Sequence, residues 1–218
     1  MDLDTFLRKL FFIIFFYVIY YNLVFFFFKP VIFNDIIYLI YIMILYIAGS
    51  IDTLLRPLEK EKREEEHYAQ LIVFLFLANP FLFVLAIEEN DILFSTRLDA
   101  LSWIGLFIYF LAAIVIIIAR VNLGKQGIGT LVVRENHELI TTGLYKYLRH
   151  PMYSGTLLGV IGFALVSQAI FVSLITFVLY FWIFNKRLIY EENLLEKAFG
   201  EKYQIYKESS YRLIPFLY

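Results

Sequence analysis

Residues Met152 to Phe184 read MYSGTLLGVIGFALVSQAIFVSLITFVLYFWIF. A membrane crossing takes roughly 20 apolar residues, so this tract is too long for one span and slightly short of two full ones. Its only weakly polar break is at the centre, around Ser167 and Gln168. The tract therefore reads as a helical hairpin of two short helices. The fold turns on that reading, because it sets the side of the membrane on which everything C-terminal lies.

Working outward, four more segments are long and apolar enough to cross: Leu10–Phe28, Ile36–Leu55, Tyr68–Ile87 and Ala100–Ala119. The chain is 61% hydrophobic and 20% aromatic, above the roughly half-apolar soluble norm, and its apolar residues come in blocks rather than stripes. The first run is longer than a signal core and ends in aromatics, Lys29 and Pro30 instead of a small-residue cleavage site, so it is expected to stay as the first span. The expectation is an all-α polytopic membrane protein with about four transmembrane helices plus a C-terminal helical hairpin.

Basic residues test the count, because they concentrate in cytoplasmic loops. With Arg8 and Lys9 inside, Arg56, Lys60, Lys62 and Arg63 are inside, as are Arg120, Lys125, Arg134, Lys146 and Arg149. The outer loops keep Lys29 and Arg97. A hairpin returns Lys186, Arg187, Lys197, Lys202, Lys207 and Arg212 to the inside, whereas a single span strands all six outside. The N- and C-termini are both expected to be cytoplasmic.

The net charge of −1 argues against a nucleic-acid partner, which needs a clustered basic excess. No cysteine is present, and His67, His137 and His150 show no metal-ligand spacing, so no metal is expected. The run Glu59–Glu66 reads as a solvated helix extension with Glu–Lys pairs. Phe25–Phe28 reads as lipid-facing or interfacial packing.

Two polar segments flank the hairpin and should meet. The first runs from Arg120 through a glycine-rich stretch and an alternating one, Val132–His137, to Thr142-Gly-Leu-Tyr-Lys-Tyr-Leu-Arg-His-Pro-Met-Tyr-Ser-Gly155. Pro151 suits a first helical turn, which puts His150 beside N–H groups that favour an anion. Desolvating Arg149 and His150 near lipid is costly without partners or a ligand. The second segment carries Lys186, Arg187, Glu191, Glu192, Tyr203, Tyr206 and Arg212. Glu191 and Glu192 point about 100° apart on a helix, so one can face the site and the other solvent. Taken singly, each has a structural explanation: an interfacial ion pair for Arg149, a satisfied histidine for His150, belt aromatics for Tyr203 and Tyr206.

Taken in order they resemble the isoprenylcysteine carboxyl methyltransferase and phospholipid methyltransferase superfamily. The residues that carry the resemblance are Gly143, Tyr145, Tyr147, Arg149-His150-Pro151, Tyr153 and Gly155. At hairpin spacing follow Glu191-Glu192, Leu195, Phe199-Gly200, Tyr203, Tyr206, Arg212 and Ile214-Pro215. The match covers roughly Arg120 to Pro215, and it departs at Gly127 and Ile128, where many bacterial relatives carry Trp-Ser.

The resemblance implies S-adenosylmethionine as cofactor in a cytoplasm-facing pocket. It puts the cofactor against His137, Leu139, Gly143, Tyr145, Arg149, His150, Pro151, Tyr153 and Glu191 or Glu192. Arg212 resembles the arginine that engages the substrate's acidic group. Glu192 is the candidate base if the acceptor is an amine; a carboxylate acceptor needs none. Residues 1–99 then form N-terminal transmembrane helices and 100–218 the methyltransferase-like region. The acceptor is expected to be a lipophilic small molecule or a lipid-modified group, foremost a prenylcysteine carboxylate. A phospholipid amine, a thiol, an NADPH-dependent reductase and a non-catalytic scaffold stay open. Tags on both termini are expected on the cytoplasmic side by protease accessibility; opposite sides would make Met152–Phe184 a single span.

Overall fold

The computed structural model describes residues 3–57, 66–94, 96–124 and 138–214. The expected solvated run Glu59–Glu66 falls almost wholly outside them, as do His137, Gly127 and Ile128. Helix α1 (Leu3–Ile13) passes through a π-helical stretch, Ile14–Tyr20, into α2 (Tyr21–Phe28), making one 26-residue span. Nothing between Leu10 and Phe28 breaks a helix; Lys29 and Pro30 end it. Helix α3 (Ile36–Leu55) starts at Asp35, whose carboxylate accepts from the Ile37 and Tyr38 backbone N–H groups at 2.9 and 3.3 Å, a side-chain N-cap. Helices α4 (Glu66–Leu93) and α5 (Asp99–Leu123) complete the first group of spans.

The hairpin is real, with α6 (Pro151–Ser167) and α7 (Ile170–Phe199) joined through Gln168 in the left-handed conformation at φ 53°. The break lies where the sequence placed it. The second arm is not short, however. From Asn185 to Phe199 the chain has no glycine or proline, so the helix continues well past Phe184 until Gly200, at φ +54°. Its 30 residues span about 45 Å at 1.5 Å per residue, against roughly 30 Å of hydrocarbon. Helix α8 (Glu201–Ser209) follows. Five described helices are long and apolar enough to cross, with the 17-residue α6 as a shorter partner; the protein is a multi-pass integral membrane protein.

The two ends of the bundle are tied by different chemistry. At one, Lys29 binds Glu88 and Asp91, Arg97 binds Asp35, and Glu89 accepts from the first N–H groups of α7, Phe171 at 2.8 Å and Val172 at 2.7 Å. Gln168 is more than a polar break: its side chain bonds both backbone groups of Leu98 and the Ser102 hydroxyl, pinning the hairpin turn to α5. At the other end Lys9 donates to the Leu54 and Arg56 carbonyls, and Asp52 receives Arg120 at 2.7 Å and Arg56 at 2.6 Å. Polar tails of α7 and α8 lie at this second end, which the hairpin requires.

Pro80 inside α4 frees the Phe76 carbonyl, since its ring removes the i to i−4 bond. The Tyr21 hydroxyl donates to that carbonyl at 3.0 Å, and Tyr20 donates to Leu77 O at 2.7 Å. The aromatic-rich first span thereby repairs a helix defect that lipid cannot.

Helices α5 and α6 approach to backbone contact, as small residues allow in membranes. A Cβ on Gly162 would stand 2.7 Å from the Tyr109 backbone nitrogen, and one on Gly105 would stand 2.7 Å from that of Val166. Gly159→Ala meets nothing nearer than 3.7 Å. We expect Gly162→Ala to cost about 1–3 kcal/mol by overpacking, read as a lowered melting temperature in detergent. Gly159→Ala is expected to be neutral or slightly stabilising, because alanine is the better helix former.

Candidate functional site at the charged end of the bundle

Gly143 opens a short 3-10 turn, Gly143–Lys146, at φ +61°, with Asn122 from the end of α5 pressed against it. The Asn122 carbonyl oxygen accepts from the Leu144 N–H at 2.9 Å. A side chain at position 143 would meet both the strained dihedral and Asn122, so glycine is required there. The turn buries Tyr145, whose carbonyl accepts from the buried Tyr206 hydroxyl at 2.6 Å. The strap then runs beside the tail: Tyr211 N donates to Tyr147 O at 2.9 Å and Arg149 N to Tyr211 O at 2.8 Å. Pro151 starts α6, and His150 before it is buried.

Glu192 is where these segments converge. Its Oε1 accepts from Arg149 Nε at 2.9 Å and lies 3.3 Å from His150 Nε2; its Oε2 accepts from Arg212 Nη2 at 2.7 Å. The carboxylate is 6% exposed. Arg149 also donates through Nη1 to the Lys207 carbonyl at 3.0 Å and to the Ser210 carbonyl. Ser154 donates to Leu213 O at 2.5 Å. The strap, α6, α7 and the tail are thus bound at one knot.

Glu191 takes a different direction. The Tyr153 hydroxyl donates to its Oε2 at 3.1 Å, and its other oxygen has no hydrogen-bond partner among the described residues. Tyr153 packs on Phe184 with ring centroids 4.8 Å apart. Tyr203 is fully buried, with its hydroxyl unpartnered among the described residues. Burial and the nearby Glu192 charge push the Tyr203 phenol well up; burial pushes Tyr206 up to about 12, and burial with Glu191 raises Tyr145. All three stay neutral donors at neutral pH.

Of the residues singled out from sequence, Tyr145, Arg149, His150, Pro151, Tyr153, Glu191, Glu192 and Arg212 come together here. Leu139 lies half-buried in the irregular segment before Gly143, and His137 falls outside the described residues. The two adjacent glutamates do diverge: Glu192 is buried and Glu191 half-buried. Both oxygens of Glu192, the candidate base for an amine acceptor, are engaged by cationic or imidazole groups. Sequence reasoning missed Ser154 and Arg187. Arg187 was named as a charge in the topology count and as a member of the second polar segment but given no role, yet it is 8% exposed, one turn before Glu191. Its position four residues before a carboxylate was the available signal.

A cavity of about 280 Å³ opens between α3, α4, α5, α6 and α7. Leu45, Ile116, Met152 and Phe163 give it apolar walls, and Asp52 and Arg56 stand at its charged end.

Residues 100–202 match the family described as phospholipid methyltransferase. A probable protein-S-isoprenylcysteine O-methyltransferase of Oryza sativa subsp. indica is 34% identical over 121 residues, 53% of this chain and 62% of that protein. Protein-S-isoprenylcysteine O-methyltransferase B of Arabidopsis thaliana is 32% identical over 133 residues, 58% of this chain and 67% of its own length. The chain therefore spans somewhat under two thirds of the rice protein. A solved eukaryotic intramembrane Ras methyltransferase, an isoprenylcysteine carboxyl methyltransferase without a monobody, superposes with a TM-score of 0.51. That likeness, at 18% identity, covers 99% of this chain and 87% of that one and is a likeness of fold.

Arg149→Lys removes the forked donor that reaches Glu192, Lys207 and Ser210 at once. Hydrogen exchange is expected to speed up at least tenfold (about 1.4 kcal/mol) in residues 207–214 and to leave α3 and α5 unchanged. Unaltered tail protection would show that Arg149 does not hold it.

Proposed function

This chain belongs to the superfamily of isoprenylcysteine carboxyl and phospholipid methyltransferases, and from that premise we propose that it transfers a methyl group from S-adenosylmethionine to the carboxylate of a prenylcysteine-like lipophilic acceptor. The chemistry is carried by the region 100–218, with both termini and the site on the cytoplasmic side.

The residues present suit the cofactor. The open oxygen of Glu191 is a partner for ribose hydroxyls or for the positive sulfonium. The buried Tyr203 hydroxyl supplies a donor that nothing else in the described protein uses. Tyr153, with its ring against Phe184 and its hydroxyl on Glu191, forms a wall beside that carboxylate. Gly143, Tyr145, His150 and Pro151 supply the opposite side.

When bound, S-adenosylmethionine supplies an activated methyl group: an acceptor oxygen forms the new bond to carbon as the carbon–sulfur bond breaks, leaving a neutral thioether. What remains for the protein is alignment and exclusion of water. Arg149 and Glu192 fix the strap against α7, and the buried Tyr145–Tyr206 bond holds α8 over it. Arg212, tethered by Glu192, presents its guanidinium to the acceptor's carboxylate. The lipid tail occupies the cavity between α3 and α7.

The observation that favours a carboxylate acceptor is the composition of the knot: Arg149, His150 and Arg212 around the single carboxylate of Glu192. Two guanidinium groups on one carboxylate leave local positive charge for an anionic head group. Glu192, fully engaged, positions these groups and takes no proton. An ionised carboxylate needs no base at neutral pH, whereas an amine acceptor would.

Calorimetry on the purified protein with S-adenosylmethionine, S-adenosylhomocysteine and NADPH tests the cofactor. Micromolar binding of the first two, lost in His150→Ala, is expected. Binding of NADPH alone would move the protein to the reductases, and binding of none would remove the reading. With a prenylcysteine acceptor, His150→Ala and Glu192→Gln are each expected to lower methyl transfer at least tenfold, about 1.4 kcal/mol of barrier. Full activity in both would place the pocket elsewhere.

A further inference from the structure

The cavity between α3, α4, α5, α6 and α7 has a polar layer that methyl transfer at the charged end does not use. Tyr41, Asn79, Tyr109 and Tyr180 all line it. Three of them share a depth. Tyr41, Tyr109 and Tyr180 each stand eleven residues along their own helix from a charged group at the site's end, namely Asp52, Arg120 and Glu191. At 1.5 Å per residue that separation is about 16 Å, half of a roughly 30 Å hydrocarbon core. Polar side chains at mid-bilayer are costly and mark function unless satisfied.

The Tyr41 and Tyr109 rings pack against each other, tilted by 39°, with centroids 4.4 Å apart. Asn79 is less well provided for. Its one side-chain hydrogen bond among the described residues runs from Nδ2 to the Tyr180 hydroxyl at 3.4 Å, beyond the usual N–H···O range. Its carbonyl oxygen and second N–H have no partner among the described residues, and the residue lines the cavity. An amide has two donors and one acceptor group to satisfy, and the apolar walls at Leu45, Leu82 and Phe163 offer neither donor nor acceptor side chains.

Resting on the proposal that the acceptor's tail fills this cavity, the geometry points to a lipid whose tail carries a hydrogen-bonding oxygen, a hydroxyl or carbonyl, roughly 16 Å from its reactive head, recognised by Asn79 and Tyr180. A hydroxyl there accepts from the free Asn79 N–H and donates to its carbonyl oxygen. An unbroken hydrocarbon tail leaves that amide with only its long bond to the Tyr180 hydroxyl, and sites with unmet polar groups reject ligands that lack one.

The test is binding, which does not require the reaction. Two probe lipids are compared in detergent: an S-farnesyl thioether acid and its counterpart with a hydroxyl on the middle isoprene unit. Affinity is read by displacement and by the rise in melting temperature, since only a ligand of the folded state stabilises it. The wild type is expected to bind the hydroxylated lipid at least tenfold more tightly. Asn79→Leu should abolish or reverse that preference, and Tyr180→Phe, which keeps the ring, should reduce it several-fold. Equal binding of the two lipids by the wild type overturns the inference, as does a preference unchanged in both variants or binding of neither lipid. A methyl-transfer assay on the same pair separates the readings. Selective binding without transfer would sink the methyltransferase reading and keep the inference; transfer to both lipids at equal rates and affinities would do the reverse.

Discussion

Glu192 is the group on which the rest of the site depends. A carboxylate that is 6% exposed survives only if its charge is matched and its lone pairs are filled. Arg149, His150 and Arg212 do this from three places in the chain: the strap before α6, the N-terminus of α6 and the tail beyond α8. Meeting the electrical demand of one side chain therefore fixes the relative positions of the strap, α7 and the tail, beside a small apolar cluster in which Leu213 packs with Leu157, Ile183 and Leu188. Arg149 extends the same logic, spending its remaining donors on the Lys207 and Ser210 carbonyls. The parallel bridge between Leu148 and Tyr211 follows from that clamp.

Further into the bilayer the organising constraint is steric. Gly105, Gly155 and Gly162 let α5 and α6 touch through their backbones, so little volume remains between those two helices. Space is left instead between this pair and α3, α4 and α7, where larger side chains hold the helices apart. The resulting cavity ends at the Asp52–Arg120 pair, which locks α3 to α5 at the charged end. Close packing on one face of α6 and open volume on the other are two results of one distribution of small residues.

The hairpin, the end at which the tail emerges and the Arg149-His150-Pro151 knot were legible in the sequence, each for a local reason. Apolar length sets spans, a proline after a histidine sets a helix start, and basic residues set sides. The behaviour of Glu191 and Glu192 was not legible. Adjacent residues on a helix diverge by about 100°, which tells that they differ but not what each meets. Glu192 turns inward because the strap and tail fold over its face of α7, while Glu191 stays half-buried and Ile189, Asn193 and Lys197 remain exposed. The length of α7 was hidden by reading hydropathy alone: a helix leaving the membrane keeps its backbone hydrogen bonds while its side chains turn polar. The pairing of Asp52 with Arg120, 68 residues apart, was beyond periodicity. Likewise Pro80 gave no hint that Tyr21 would supply the hydrogen bond its neighbour lost.

On the proposed function, the charged and polar layers also constrain how two very different substrates can meet. A sulfonium cofactor is soluble and a prenylated acceptor is not, so their reacting atoms can coincide only near the boundary between water and hydrocarbon. Glu191 and Glu192 lie just there, on the part of α7 that follows the apolar stretch ending at Phe184. The same helix carries Tyr180 down to mid-bilayer, so on the proposed function one rigid rod sets both the position of the head-group chemistry and the depth of the tail's polar contact. Shortening or kinking that rod would move the two apart together. This explains why α7 runs unbroken through the interface, with neither glycine nor proline before Gly200, where a connection made by a loop would have been simpler to build.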